Sequence, residues 1–159
     1  MDRNTQLETA YHRHADLLYR LALAELQRPQ DAEDAVADAF ERYLTAAPQF
    51  QSEEGERAWL IRVTVNRSRD LYRRRRIRTH EPLEAAETIG VTDEAKEVLH
   101  ALSELPHKYR TAITLHYLEG FSVAEISAAL NLSESAVKMR LARGREQLKP
   151  KLKGEDERV

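Results

Sequence analysis

Helical periodicity, broken at only a few places, restricts this chain's fold more than any other feature of its sequence. Leu7, Tyr11, Leu18 and Leu21 recur at spacings of four, seven and three, which places them on one face of an amphipathic helix over about residues 5–27. Arg28-Pro29 ends it. A second helix is predicted from Gln30 to Ala47, with Ala32, Val36, Ala39, Phe40, Tyr43 and Leu44 apolar and Pro48 as the stop. Gln49–Gly55 is polar and reads as a loop. A third helix runs from about Glu56 to Ile77, opened by acids that suit a helix N-terminus. Residues 79–93 contain Pro82 and Gly90, show no sustained period, and read as an acidic linker. Helices are then expected at about 94–104, 106–118, 122–130 and 133–149, with Pro106 in the first turn of its helix, where a missing N–H costs nothing. The expected fold is all-α. Two small helical modules, 1–78 and 94–153, are joined by the linker 79–93, and a tail, 154–159, is too short for a further regulatory domain.

Several function classes drop out early. Cysteine is absent, which excludes disulfides, thiolate metal sites and a cysteine nucleophile. No stretch approaches the roughly 18 apolar residues of a membrane span, and the polar start Met1-Asp2-Arg3-Asn4 does not resemble a secretory signal, so membrane insertion is not expected and a cytoplasmic location is. The six histidines are scattered. His12 and His14 face different ways on one helix, and the echo of Glu97-x-x-His100 at Glu104-x-x-His107 contains Pro106, so neither spacing makes a metal site. Phosphate loops, dinucleotide fingerprints, nucleophile elbows and paired-carboxylate motifs are all missing. No cofactor, metal or enzymatic activity is expected.

A formal net charge of −2 argues at first against a polyanionic partner, but it hides opposed blocks. Residues 1–56 carry 12 acidic against 5 basic side chains, whereas 57–78 carry nine arginines and the single acid Asp70. Residues 79–133 are again acidic, and 134–153 hold 7 basic against 2 acidic groups. Each block makes a local field that the total conceals. A solvated helix face explains one such block; two, each ending a separate helical segment, suit a nucleic acid better.

The segment from Phe121 to Lys138 carries the strongest local pattern, that of a helix-turn-helix. Such a motif needs a small residue where its helices cross, a residue tolerant of positive φ in the turn, and apolar residues tying the second helix to the first. Ser127, Asn131 and Val137 stand at those spacings, with Ile126, Leu130, Leu132 and Leu141 as the packing set. Asn accepts the left-handed conformation almost as readily as Gly. Ser122 with Glu125 makes a capping box, and Ser133 caps the second helix. With Val137, Leu141 and Leu148 turned inward, Ser135, Lys138, Met139, Arg140 and Arg143 are left to meet phosphates and base edges in a major groove. The competing reading is a plain helical hairpin, which would not need a basic second helix.

In the arginine-rich third helix, Arg62, Asn66, Arg69 and Arg73 recur at four, three and four and form one stripe, opposed by Trp59, Leu60, Val63 and Leu71. Arginines hold a phosphate backbone, and an asparagine among them adds a group that discriminates bases. Arg74–Arg76 also suit a helix C-terminus for purely electrostatic reasons. The second helix places acids at 31, 33, 34 and 38, either a solubilising face or a docking surface for a basic protein.

Taken together, these motifs resemble the extracytoplasmic-function (ECF) group of bacterial RNA polymerase sigma factors, from about Tyr11 to Lys149 and in the same order. Asp31-Ala-Glu-Asp with Val36, Asp38 and Phe40 is similar to the helix by which that family binds the polymerase clamp. Phe50, Trp59-Leu-x-Arg, Asn66, Asp70 and Arg73-Arg resemble its minus-ten-binding element. Leu105-Pro-x-x-Tyr-Arg, His116-Tyr-x-Glu-Gly-Phe-Ser-x-x-Glu-Ile and Ser133–Arg145 resemble its minus-thirty-five domain. The resemblance implies that Asp31, Glu33, Asp34, Asp38 and Phe40 bind core RNA polymerase, that Gln51, Ser52 and Glu53 with the stripe Arg62–Arg73 engage the minus-ten element of promoter DNA as it opens, and that the helix around Lys138, Arg140 and Arg143 reads the minus-thirty-five duplex. It implies no nucleotide or metal of the factor's own, and an anti-sigma protein as a possible partner. Where the family often carries a bulky residue and Gln in the clamp helix, this chain has Ala35 and Ala37. Two alternatives stand beside it: a helix-turn-helix regulator that acts without core polymerase, and a helical enzyme or scaffold. The acidic helix and the Trp59–Arg76 block favour the initiation factor, since a stand-alone regulator needs neither.

Overall fold

The computed structural model describes residues 2–79 and 92–156, with side chains described for 2–75 and 92–151. Within these limits every regular element is helical, as the periodicity requires. The first module holds α1 (Arg3–Leu26), α2 (Pro29–Ala46) and α3 (Glu53–Thr79). The second holds α4 (Asp93–Ser103), α5 (His107–Ile113) running into a π-helical turn (Thr114–Leu118), α6 (Val123–Leu130) and α7 (Glu134–Asp156). Residues 80–91 of the expected linker lie outside the described residues, as do 157–159 of the expected tail.

Ends and starts follow local chemistry. Asp2 caps α1 by accepting from the Thr5 N–H at 2.7 Å. Gln27 then turns left-handed (φ 68°) to end that helix, its N–H reaching the Leu23 carbonyl, and Arg28 is extended ahead of Pro29 at the first position of α2. Several boundaries differ from the sequence-based expectation. α3 begins at Glu53 rather than Glu56, because Ser52 Oγ accepts from the Gly55 N–H at 3.0 Å and starts the helix early. Pro106 is not in the first turn of α5; it sits one residue ahead, with ψ 144°. α7 continues past Pro150 to Asp156, so that residues 154–156 are helix, not tail.

The three helices of the first module enclose Leu18, Leu21, Leu26, Leu60 and Ile61, all essentially without solvent contact. Each such side chain contributes about 1.5–3 kcal/mol of burial. Where α1 and α2 meet, the contact is between Ala22, Leu26, Ala32 and Ala35, small residues that bring the backbones together. Ala35 is thus a packing residue, while Ala37 is exposed. Beyond this layer lies a ring cluster. Tyr43, Phe50 and Trp59 stand 6.0 Å apart pairwise, and Phe40 is 5.1 Å from Tyr11. Glu56 ties all three helices, since Tyr43 donates to one carboxylate oxygen at 2.8 Å and His14 Nε2 lies 3.0 Å from the other. Burial and that carboxylate push the Tyr43 hydroxyl up to about 12.

In the second module Leu102, Leu105, Ile113, Leu115, Ile126, Val137 and Leu141 form the core. α7 crosses α5 at Gly144, where a Cβ would come within 2.6 Å of Ile113 Cγ1. The modules then pack on each other. α1 meets α4 and α5, and α3 meets α6.

Candidate nucleic-acid interface

The helix-turn-helix of α6 and α7 is built as its residue pattern requires. Ser122 and Glu125 bond reciprocally at 3.1 and 3.0 Å, closing the capping box. Asn131 is left-handed at φ 57°. Ser127 Oγ donates to the Leu132 carbonyl, so the small residue at the crossing also pins the turn. Ser133 Oγ accepts from the Ala136 N–H at 3.1 Å and opens α7. Val137 and Leu141 are buried, which turns Ser135, Lys138, Met139 and Arg143 to solvent. Met139 is 59% exposed on this face. Arg140 is only half-buried, because it faces the first module.

On α3 the stripe is reproduced. Arg62 is half-buried, and Asn66, Arg69 and Arg73 are exposed. It runs along a ridge between two hollows. One, of 510 Å³, lies toward α2 and is lined by Asp38, Trp59, Arg62, Asn66, Arg67 and Asp70 among others. The other, of 310 Å³, lies between the modules and brings Arg62, Asn66 and Arg69 together with Lys108 and Arg140. The two basic blocks of the sequence therefore meet across one cleft, which their separation along the chain did not reveal.

The loop residues have local roles. Gln51 and Ser52 are exposed, Ser52 is the α3 cap, and Glu53 lies 3.8 Å from Arg13. Phe50, clasped by Tyr43 and Trp59, anchors the loop beneath them.

On the acidic helix, Asp31 is ion-paired with Arg75, and Asp38 with Arg67 at 2.6 Å, so these two acids bind α2 to α3. Glu33 and Asp34 are exposed. Phe40 is buried beneath the surface it was expected to present, against Tyr11 and Tyr43. It supports the helix from inside.

Residue pattern gave no notice of the seam between the modules. Glu25 of α1 is buried among groups of the other module: Thr111 Oγ1 donates to it at 2.6 Å, Arg110 Nη1 donates at 3.0 Å, and His107 Nδ1 lies at 2.8 Å. Burial works to raise its carboxyl, but the contacts with His107, Arg110 and Thr111 outweigh it and hold the group below the usual carboxylate range. Outside this centre, Arg20 makes a forked bond to Glu119 at 2.8 and 2.9 Å. Arg57 bonds Glu125 at 2.9 Å and stacks 4.5 Å over the Phe121 ring. The Ser122 N–H and then Arg57 hold the Glu125 carboxyl low.

Among the described residues no group of His, Asp and Glu is arranged to hold a metal ion, and no helix is long and apolar enough to cross a membrane.

Comparison with known proteins bears directly on this arrangement. The sigma-70 region 2 family matches residues 10–78, and sigma-70 region 4 matches residues 95–148. The ECF RNA polymerase sigma factor SigM of Mycobacterium tuberculosis is 32% identical over 142 residues, covering 87% of this chain and 72% of SigM. The chain belongs to the ECF sigma factors. This family directs RNA polymerase to promoters and is not enzymatic in its own right. The ECF sigma factor SigE of Mycolicibacterium smegmatis is 34% identical over 148 residues; that match covers 86% of this chain and 57% of SigE. Among solved structures, that of CnrH in complex with the cytosolic domain of CnrY is similar with a TM-score of 0.76 at 30% identity, covering 95% of this chain and 90% of CnrH. In this sigma factor, α1–α3 correspond to region 2 and α4–α7 to region 4.

Proposed function

We propose that this ECF sigma factor initiates transcription by three separate surfaces. The exposed acids Glu33 and Asp34, flanked by Asp31 and Asp38, meet a basic surface of core RNA polymerase, while Phe40 holds their helix in place. Arg62, Asn66, Arg69 and Arg73, with the loop residues Gln51, Ser52 and Glu53, engage the minus-ten element as its strands part. A base leaving the stack costs roughly a few kcal/mol, which a protein pocket and backbone contacts offset. The 510 Å³ hollow beside Trp59 and Asn66 is of a size to receive one. Ser135, Lys138, Met139, Arg140 and Arg143 read the minus-thirty-five duplex from the major groove.

The observation that carries this reading is the exposed cationic face of α7 above a capped, buried helix-turn-helix, in a chain that also carries region 2. The protein acts in the cytoplasm, where core polymerase and promoter DNA are. A partner that wraps both modules, in the manner of an anti-sigma protein, is supported by the similarity to CnrH bound to a cytosolic domain. The test is a pull-down with core polymerase followed by run-off transcription on a promoter library. Core binding with transcription from a defined set of promoters is expected. DNA binding without core binding would establish a stand-alone regulator instead.

A further inference from the structure

His14, Tyr43 and Glu56 belong to none of the three proposed surfaces, yet they are joined in the interior of the first module. His14 and Tyr43 each retain 4% of their exposure, and the Glu56 side chain retains 13%. An ionised carboxylate has no proton to give, so both neighbours donate to it: Tyr43 to Oε2 at 2.8 Å and His14 Nε2 to Oε1 at 3.0 Å. The Tyr43 hydroxyl, pushed up to about 12, keeps its proton and so remains a donor. Packed apolar side chains of similar volume would serve the stability of the module as well. What they would not supply is direction. Two bonds on one carboxylate fix the rings of Tyr43 and His14 and the first turn of α3 at set angles to one another.

That direction is passed on to the minus-ten loop. The Phe50 ring is stacked on Tyr43, with centroids 6.0 Å apart and planes at 27°, and Trp59 meets both rings edge-on at 6.0 Å. Phe50 directly precedes Gln51, Ser52 and Glu53, so its ring is where the loop is fastened to the helices. From the other side Arg13, next to His14, lies 3.8 Å from Glu53. Two successive residues of α1 thus hold the start of α3, and Tyr43 holds it from α2. A site carried on a loop needs locked side chains behind it, since productive geometry tolerates errors of only about 0.5 Å. Trp59 also borders the 510 Å³ hollow with Asn66, so a tilt of Tyr43 displaces the loop and one wall of that hollow together.

We propose that His14, Tyr43 and Glu56 are positioning residues for strand opening: their buried hydrogen bonds set the ring cluster on which the minus-ten loop rests, and so determine how well that loop holds an extruded base. The inference rests on the function proposed above and concerns its opening step alone, not binding to polymerase or to the minus-thirty-five duplex.

Trp59 is the sole tryptophan, so its fluorescence reports the ring cluster directly. Tyr43→Phe removes one oxygen and keeps the ring, His14→Leu removes the other donor, and His14→Gln returns an N–H at similar reach. Holoenzyme carrying each variant is mixed with a promoter in which 2-aminopurine replaces one minus-ten base. The concentration dependence of its fluorescence rise separates the initial binding constant from the opening rate. Tyr43→Phe and His14→Leu are expected to shift Trp59 emission in the free factor and to lower the opening rate several-fold, with core binding, initial promoter binding and helical content as in wild type. His14→Gln is expected to recover most of the rate. Should His14→Leu lose helical content, Tyr43→Phe alone decides. Opening at the wild-type rate in Tyr43→Phe would overturn the assignment, as would a slowed rate matched by an equal loss of core and initial promoter binding, or a folded His14→Leu no slower than His14→Gln. A wild-type factor that neither binds core nor opens a promoter refutes the proposed function, while wild-type opening with unaltered variants refutes only the positioning.

Discussion

Gly144 of α7 lies so close to Ile113 of α5 that a methyl group added to it would stand 2.6 Å from Ile113 Cγ1 and 2.9 Å from Cδ1. The second module is held together at this crossing, because α7 must rest on α5 for its other face to be presented. Gly144→Ala is expected to destabilise that module by about 1–3 kcal/mol, the usual cost of overpacking. Alanine's better helix propensity offsets only part of this. Thermal denaturation checks it, and Ile113→Val introduced alongside should recover some of the loss.

Phe40 and Asp34 separate support from contact on the same helix. Phe40→Ala removes a buried ring and is expected to cost about 3–5 kcal/mol. Its loss of polymerase binding will then accompany loss of fold. Asp34→Asn and Glu33→Gln alter exposed groups, and their melting should match wild type while core binding weakens. Binding and melting measured in parallel distinguish the two. Weakened binding in Phe40→Ala with an unchanged melt would place the ring at the polymerase surface.

At the turn of the helix-turn-helix, Asn131 holds a left-handed backbone at φ 57°. Asn131→Ala is expected to destabilise by about 1–2 kcal/mol, the cost of placing a Cβ there without the local bonding of Asn. Asn131→Gly should leave stability unchanged or slightly higher, read by urea unfolding.

That turn was legible in advance, and the reason is that its chemistry is local. Ser122, Glu125, Asn131 and Ser133 act on neighbours within four residues, so their order along the chain is enough to place them. The same holds for the stripe Arg62–Arg73, which needs only a continuous helix. The start of α3 lies three residues ahead of the one its pattern suggests, because a serine three positions before a glycine N–H is able to cap. The π turn at Thr114–Leu118 was hidden by its length, too short to displace the helical period. The pairing of Glu25 with Arg110 is of a different kind. Eighty-five residues separate them, and both are types ordinarily left on the surface, so nothing in the pattern of either segment marks them as partners. The ion pairs of Asp31 and Asp38 with arginines of α3 are hidden for a related reason: an acidic run reads as a surface whether or not arginines of another helix stand over part of it.

Acid should release the seam. The Glu25 carboxyl is held below its ordinary value of 4.5 in the closed form and returns toward it on opening. Closure therefore gains from the ionised carboxylate at any pH above about 4.5, and that gain fades as pH falls through the depressed value. His107 and Arg110 face this group from α5, and the adjoining hollow also collects Arg69 and Arg73 of α3 and Glu104, which caps α4. The closed fraction is expected to decrease as pH falls below 4.5, as followed by energy transfer between labels on the two modules. Glu25→Gln should lack this dependence. A closed fraction that falls equally in both proteins would assign the titration to another carboxylate.

The two basic helices differ in what each arginine does, and promoter use should reveal it. Arg140 is proposed above to meet base edges, and an arginine lost from such a contact costs about 1–3 kcal/mol at one base position. Arg74 is exposed near the end of α3, and as a phosphate contact its loss should weaken binding uniformly and lower the salt slope by about 1. Arg75 is a poor control, because its pairing with Asp31 joins α3 to α2 and its removal would disturb the helix expected to meet polymerase. Arg140→Ala and Arg74→Ala holoenzymes are therefore to be compared on a promoter library at several salt concentrations. Arg140→Ala is expected to change which promoters are used, with the change confined to one position of the minus-thirty-five element. Arg74→Ala should lower all of them together. If both variants lower every promoter alike, α7 holds the duplex by its backbone, and the choice of promoter rests with the minus-ten surface alone.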